Sequence, residues 1–174
     1  KKAAICGTDL HMYKWDEWSQ SHCRPPYTMG HEFVGEVVEV GPGVRNVRIG
    51  ERVTAEGHIV CGHCRNCRRG LGHVCENSLS VGIFGKDGAF AEYVTIPESN
   101  IVHLKDAIPD DFAAIMDPFG NATHTALAFP LLGEDVLITG AGLIGTRAAG
   151  ICRYAGAKNI VVTDINPLRL DIAK

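Results

Sequence analysis

The sequence has no apolar run long enough to cross a bilayer: nowhere do 18 apolar residues follow one another, about the shortest stretch a membrane helix uses. It has no excess charge of consequence, with 17 Lys and Arg against 20 Asp and Glu and a formal net charge of −3. That balance gives no reason to expect nucleic acid or a membrane surface as partner. It shows no signal peptide, internal repeat or low-complexity tract. What is left is an ordinary globular composition, 45% hydrophobic over 174 residues. That is enough to bury a sizeable core, in one or two domains.

Cysteine is plentiful, with seven at positions 6, 23, 61, 64, 67, 75 and 152. Four are packed as Cys61-x-x-Cys64-x-x-Cys67 followed by Cys75. Such spacing favours metal over disulfides. Zinc takes four thiolates tetrahedrally in closed structural sites, although iron–sulfur clusters use cysteine runs of similar density. Gly62, Gly70 and Gly72 let the loop wrap an ion, and Arg65, Arg68 and Arg69 favour thiolate. A site closed by four cysteines has no open position and is expected to hold a loop rather than perform chemistry. Adjacent C-x-x-C pairs also fit a reducing compartment, so a cytoplasmic protein is expected.

The chain changes character along its length. Residues 1–29 read as turn and short helix, interrupted by Pro25-Pro26. Phe33–Val40, Val47–Ala55 and Ala89–Ile96 read as β-strands between glycine turns, the pattern of a small antiparallel barrel-like domain. Asp110–Ala114 and Asn121–Phe129 read as helical. The architecture then switches. A strand-like run, Asp135–Thr139, leads into Gly140-x-Gly142-x-x-Gly145, a helix-like run and a second strand, Asn159–Thr163, that ends in Asp164. Strand, glycine turn, helix, strand and acid fall in the order of a dinucleotide site. A carboxylate at Asp164 accepts from a ribose 2′-OH and repels a 2′-phosphate, so NAD is expected over NADP. Ile144 sits where helix backbone approaches a pyrophosphate. Arg169 would flank the adenine or be a solvated helix residue.

Cys6, His31 and Glu32 offer a second set of donors, the mixed set of a catalytic zinc that keeps one position open. By residue type alone His31 also fits a satisfied core histidine, and Cys6 a small buried hydrophobe. Context favours ligands. Gly30-His-Glu-x-x-Gly35-x5-Gly41-x-x-Val44 resembles the zinc signature of the medium-chain alcohol dehydrogenase superfamily. Cys6-Gly-Thr-Asp9 is similar to that family's first metal-ligand segment, and the four-cysteine lobe to its structural zinc loop. The stretches Trp15-Asp-Glu-Trp18, Glu56-Gly-His58 and Asp117-Pro-Phe-Gly-Asn121 are similar to the family's threonine-oxidising branch.

The resemblance implies a GroES-like β-rich catalytic domain over residues 1–118, with its zinc lobe at 61–75. The linking helix and the first part of an NAD-binding Rossmann domain would follow at 119–174. It implies oxidation of L-threonine at C3 with hydride transfer to NAD, or else turnover of another alcohol or a polyol of the sorbitol or butanediol type. Two Zn2+ per complete subunit are implied: one on Cys6, His31 and Glu32, one on Cys61, Cys64, Cys67 and Cys75. Thr8 and His11 match the family's proton relay, though Thr8 also suits a helix cap. Asp117 would stand close to the metal, or be a helix-start acid before Pro118. His58 falls where the family lines its substrate pocket. Relatives are commonly tetramers, so a homotetramer is implied. Two strands cannot cover both faces of a doubly wound sheet. The chain is therefore expected to be a fragment, inactive by itself.

Overall fold

The computed structural model describes residues 1–174, which divide into two compact units, Lys1–Asp117 and Pro118–Lys174. In chain order the first carries β1 (Lys2–Ala4), α1 (Gly7–Lys14), α2 (Glu17–His22), β2 (Glu32–Glu36), β3 (Arg52–Ala55), β4 (His58–Ile59), α3 (Arg65–Arg68), β5 (Leu79–Val81), β6 (Gly85–Lys86), β7 (Ile101–His103) and α4 (Asp110–Ala113). The division falls in the first turn of α5 (Met116–Ala126), and β8 (Asp135–Thr139), α6 (Leu143–Tyr154), β9 (Asn159–Thr163) and α7 (Pro167–Ile172) follow.

An antiparallel sheet in the order β1-β2-β3-β7 organises the first unit, beside a smaller sheet β4-β5-β6. The first three residues of β2, Glu32, Phe33 and Val34, are all buried. Val34 is 1% exposed and packs with Ala113 and Ala114, flanked by Leu104 and Ile108. Full burial of a valine side chain is worth about 2 kcal/mol. The two alanines are small enough to let the helical segment lie close on the strand. The Thr54 hydroxyl donates to the Phe33 carbonyl at 2.6 Å, closing the same layer.

The strands are shorter than hydrophobic patterning suggests, and one is missing. Phe33–Val40 yields strand only to Glu36, and Val47–Ala55 only from Arg52. Between them Gly50, at φ +89°, turns the chain, while the Val37 amide bonds to the Glu51 carbonyl and the Gly50 amide to Val37. Ala89–Ile96 forms no strand. The amides of Gly88, Ala89 and Phe90 donate instead to the carbonyls of Thr28, Gly30 and Met29. These bonds tie the segment to a loop rather than to a sheet edge. The first strand, β1, was hidden in a segment that reads as turn.

That loop crossing is made of glycine. A Cβ on Gly82, which sits at φ +67°, would lie 2.1 Å from the Gly30 carbonyl oxygen; one on Gly88 would lie 2.2 Å from the same atom. Gly30 itself is at φ +96°, and a Cβ there would meet the Phe90 amide nitrogen at 2.8 Å. Three backbones meet where no side chain fits, directly before His31.

In the second unit β8 and β9 run parallel in the register Asp135↔Asn159 to Thr139↔Thr163. Their inward residues alternate with outward ones, and α6 packs on both strands. The outward residues Leu137 and Val161 face each other across the pair and are 65% and 55% exposed.

Gly82→Ala should cost about 3 kcal/mol or more, because backbone rather than a movable side chain must give way. Gly43→Ala, where no atom lies within 4 Å of the added carbon, should stay within about 0.5 kcal/mol. Urea denaturation of the two variants checks the contrast.

Candidate active site

The sheet register assembles the mixed donor set. Ala4 pairs with Glu32 across β1 and β2. Two residues beyond Ala4 the chain reaches Cys6, at the start of α1, and one residue before Glu32 it leaves His31. The donor atoms of Cys6, His31 and Glu32 all lie within 4.8 Å of one another. His31 and Glu32 are buried, 6% and 3% exposed, and Cys6 is half-buried. A thiol, an imidazole and a carboxylate at these separations fit a single zinc ion with one position left open.

The electrostatics fit the same ion. The hydrogen bond from His31 holds the Cys6 thiol below its ordinary pKa. Burial works against charging His31, but Cys6, Asp9 and Asp117 outweigh it and raise its pKa. Burial pushes up both Glu32 and Asp117. Negative groups therefore outnumber the one imidazole, the imbalance a divalent cation offsets. Asp9, 3% exposed, is the residue that sequence reasoning passed over. Its Oδ2 accepts from the Cys6 amide at 2.8 Å, fixing the ligand's backbone. Its Oδ1 stands 3.8 Å from His31 Nδ1, and these two atoms are buried without a hydrogen-bond partner. Carboxylates commonly orient metal-bound imidazoles from this side. The signal was present in Cys6-Gly-Thr-Asp9 but reads there as an ordinary helix start.

Asp117 lies in the first turn of α5, and both His31 and His58 act on its charge. His58 Nδ1 bonds Glu56 Oε1 at 2.6 Å, and the same oxygen accepts the His58 amide at 2.8 Å. The side-chain amide of buried Asn100 holds this corner by donating to the carbonyls of Glu56 and His58. Asn100 carried no sequence signal, being a lone amide before a short strand. Thr8 is the second residue of α1, with Cys6 at the cap position, so Thr8 is not the helix cap. Its hydroxyl lies 3.7 Å from the Cys6 sulfur. His11, further along the same helix, is 59% exposed at its side chain and bonds through Nδ1 to Asp16 Oδ2.

The four cysteines of the lobe also converge, with all sulfurs within 4.8 Å. Cys75 Sγ lies 3.5 Å from Cys61 Sγ and 4.0 Å from Cys64 Sγ. These distances are far beyond a disulfide and bracket the roughly 3.8 Å edge of a zinc–thiolate tetrahedron with bonds of about 2.3 Å. Backbone amides of Cys61, Cys67 and Asn77 point at the sulfurs. Amides of His63 and Cys64 hold the Cys61 thiol down to about 6, while desolvation pushes Cys67 up to about 12. The cluster resists full ionisation by its own means, and a divalent cation held by Cys61, Cys64, Cys67 and Cys75 would favour the thiolates.

In the second unit Gly140, at φ +106°, donates its amide to the Thr163 carbonyl at 2.7 Å. Gly142 caps α6, and Ile144 follows in its first turn. A Cβ on Gly145 would sit 1.8 Å from the Gly140 carbonyl oxygen, so the turn closes only with glycine there. Asp164 is 5% exposed at its side chain and ties the second strand to this turn. Its Oδ2 accepts the Ala141 amide and its Oδ1 the Asn166 amide, both at 2.8 Å. These bonds hold its carboxyl below the usual range. Arg169 stands 3.9 Å from Asp164 and is 58% exposed. The fit to a dinucleotide lies in this backbone cradle, which exposes helix-start amides beside an ionised carboxylate.

The family model of the alcohol dehydrogenase GroES-like domain matches residues 1–106. The chain belongs to this family. An L-threonine 3-dehydrogenase of Marinomonas sp. (strain MWYL1) is 60% identical over 99% of the chain, which covers 50% of that protein. Among solved structures, an alcohol dehydrogenase of Escherichia coli CFT073 complexed with NADH is 33% identical with a TM-score of 0.85. It matches 98% of this chain, and the match covers 49% of that protein. L-idonate 5-dehydrogenase of E. coli K-12 is 28% identical with a TM-score of 0.87, over 98% of this chain and 50% of its own. The chain thus spans about half the length of the relatives it matches. Its fold is a GroES-like β-rich domain followed by the beginning of a Rossmann sheet. No helix is long and apolar enough to cross a membrane.

The Glu56–His58 bond gives a pH signature. Glu56 raises the pKa of His58, so the bond's contribution is full below the ordinary histidine value of 6.5 and fades as pH rises through the raised one. His58 lowers Glu56, whose contribution is full above 4.5 and is lost as pH falls through the lowered value. Both side chains are about half exposed, which limits the pair to under about 1 kcal/mol. His58→Gln should therefore cost stability near pH 5.5 and almost none near pH 8.5. Denaturant titrations of both proteins at the two pH values measure it.

Proposed function

We propose that the complete protein oxidises L-threonine at C3, giving L-2-amino-3-oxobutanoate and NADH. The observation that carries the reaction class is the mixed donor set of Cys6, His31 and Glu32, held within 4.8 Å beside Asp117 and the Glu56–His58 corner. The substrate reading rests on the 60% identity to an L-threonine 3-dehydrogenase along nearly the whole chain. Oxidation of another alcohol or a polyol of the sorbitol or butanediol type is the second reading, favoured by the likeness to an alcohol dehydrogenase and to L-idonate 5-dehydrogenase, which acts on a polyhydroxy acid.

Cys6, His31 and Glu32 would hold the catalytic zinc, and Cys61, Cys64, Cys67 and Cys75 a structural one. Bound there, zinc supplies the Lewis acidity that eases loss of a hydroxyl proton, and NAD accepts the hydride. The chain's own groups do the rest. Thr8, next to Cys6, takes the hydroxyl proton into a relay that ends on His11, an exposed imidazole that can pass it to water. Asp9 and Asp117 orient the ligands and concentrate negative charge around them. Glu56 keeps His58 placed to meet the substrate's charged amino-acid groups. On the cofactor side, the Gly140–Gly145 turn offers backbone amides to a pyrophosphate, with Ile144 in the first helical turn. Asp164 selects the unphosphorylated ribose, and Arg169 flanks the adenine. Seven free cysteines are consistent with a cytoplasmic setting, and we infer a homotetramer from the family resemblance.

Full-length protein should reduce NAD+ with L-threonine at least tenfold faster than with sorbitol or butanediol, and should use NADP+ poorly. Faster turnover of a polyol would replace the threonine reading with the second one. Metal analysis should find two zinc ions per full-length chain, one lost in Cys6→Ser and the other in Cys61→Ser. A single zinc insensitive to Cys6 would sink the catalytic set.

A further inference from the structure

The stretch Trp15-Asp-Glu-Trp18 lies between α1 and α2, and none of the roles above uses it. Trp15 ends α1 in a left-handed conformation, at φ 53°. Asp16 then caps α2. Its two oxygens do different work. Oδ1 accepts from the Ser19 amide at 3.1 Å and the Ser19 hydroxyl at 3.2 Å, while Oδ2 takes His11 Nδ1. Ser19 is fully buried, so the cap oxygen is anchored. The Trp18 ring leans over the His11 ring with centroids 6.1 Å apart, and stacks on His22 at 5.0 Å.

We propose that Asp16 is a positioning residue for the proton relay, fixing His11 in the tautomer that leaves Nε2 as the nitrogen that takes up the proton. The inference rests on the reading of His11 as the end of that relay. An ionised carboxylate only accepts hydrogen bonds. Nδ1 therefore carries a proton whether the ring is neutral or charged, and the lone pair of the neutral ring is confined to Nε2. When the substrate hydroxyl's proton reaches Nε2 through the relay, the ring becomes imidazolium beside the Asp16 carboxylate, and solvent water then takes the proton from the same nitrogen. The arrangement has the logic of the aspartate behind a catalytic histidine in serine proteases, built here on a helix cap. The ionised state of Asp16 is supported by His11 and the Ser19 amide, which hold its carboxyl below the usual range.

The two jobs of Asp16 are separable. Asparagine caps helices about as well as aspartate, and its amide oxygen can keep the Ser19 bonds. Its NH2 then faces His11 Nδ1 and donates, which drives the ring proton to Nε2. In full-length protein labelled with 13C and 15N histidine, the His11 ring, assigned by its loss in His11→Gln, should show Nδ1–H in the wild type and Nε2–H in Asp16→Asn. Threonine turnover by Asp16→Asn should fall about 10- to 100-fold in kcat, with KM and melting temperature little changed. The double variant Asp16→Asn/His11→Gln should be no slower than His11→Gln alone. If Asp16→Asn is poorly folded, Asp16→Ser, which keeps a capping hydroxyl and offers no carboxylate, gives the same comparison. An unchanged His11 tautomer in these variants, or an unchanged kcat, overturns the proposal. Should the wild type fail to oxidise threonine, the functional reading falls by itself, while the ring spectra still decide what Asp16 does to His11.

Discussion

The crossing of three glycine backbones at Gly30, Gly82 and Gly88 is the constraint on which the first unit's donor set depends. The Gly30 carbonyl receives the Ala89 amide and leaves no room for a Cβ on either facing glycine. The chain leaves this crossing as His31 and Glu32 and enters β2, whose pairing with β1 fixes where Cys6 must be. The placement of Cys6, His31 and Glu32 is thus set by main-chain contacts, which do not depend on side-chain rotamers. The packing of Val34 on Ala113 and Ala114 locks the strand from its other side.

The donor set gathers more acidic groups, Cys6, Asp9, Glu32 and Asp117, than basic ones, of which His31 is the one beside them. Cys6 is drawn toward thiolate by the hydrogen bond from His31, while burial presses Glu32 and Asp117 toward their protonated forms. The four-cysteine lobe shows the same division, with Cys61 lowered and Cys67 raised. Both clusters gather donors whose protonation is pulled in opposite directions, and a divalent cation among them would favour the ionised forms. The amides directed at the sulfurs in the lobe, and the Asp9 bond to the Cys6 amide at the other site, keep the geometry in place.

Much of this was legible in the chain. The cysteine spacing and the glycine turn are local motifs, and their chemistry follows from short-range geometry. The second unit formed nearly as patterned, because an apolar strand, a glycine turn and an amphipathic helix need little from distant residues. The first unit was harder. Ala89–Ile96 has the composition of a strand, yet its first amides are claimed by residues 28–30, a partner only the tertiary fold supplies. Lys2–Ala4 carries no alternation that marks it as a strand, but pairing with β2 makes it one. Asp9, Asp16 and Asn100 were overlooked as site residues for a related reason. Each is a common turn or cap residue by sequence, and its importance comes from which distant or neighbouring group its second hydrogen bond reaches.

The two cysteine-bearing sites differ sharply in how far apart their ligands lie along the chain. The lobe draws all its sulfurs from residues 61–75, so closing it costs little chain entropy. Two of the amide-to-sulfur bonds are made within the same segment, and a third comes from Asn77, two residues beyond it. The other site needs Cys6 and His31 brought together by a completed strand pair and a glycine crossing that reaches as far as Phe90. The lobe's sulfurs can therefore meet without the sheet, while Cys6 and His31 meet only once the strand pair is made.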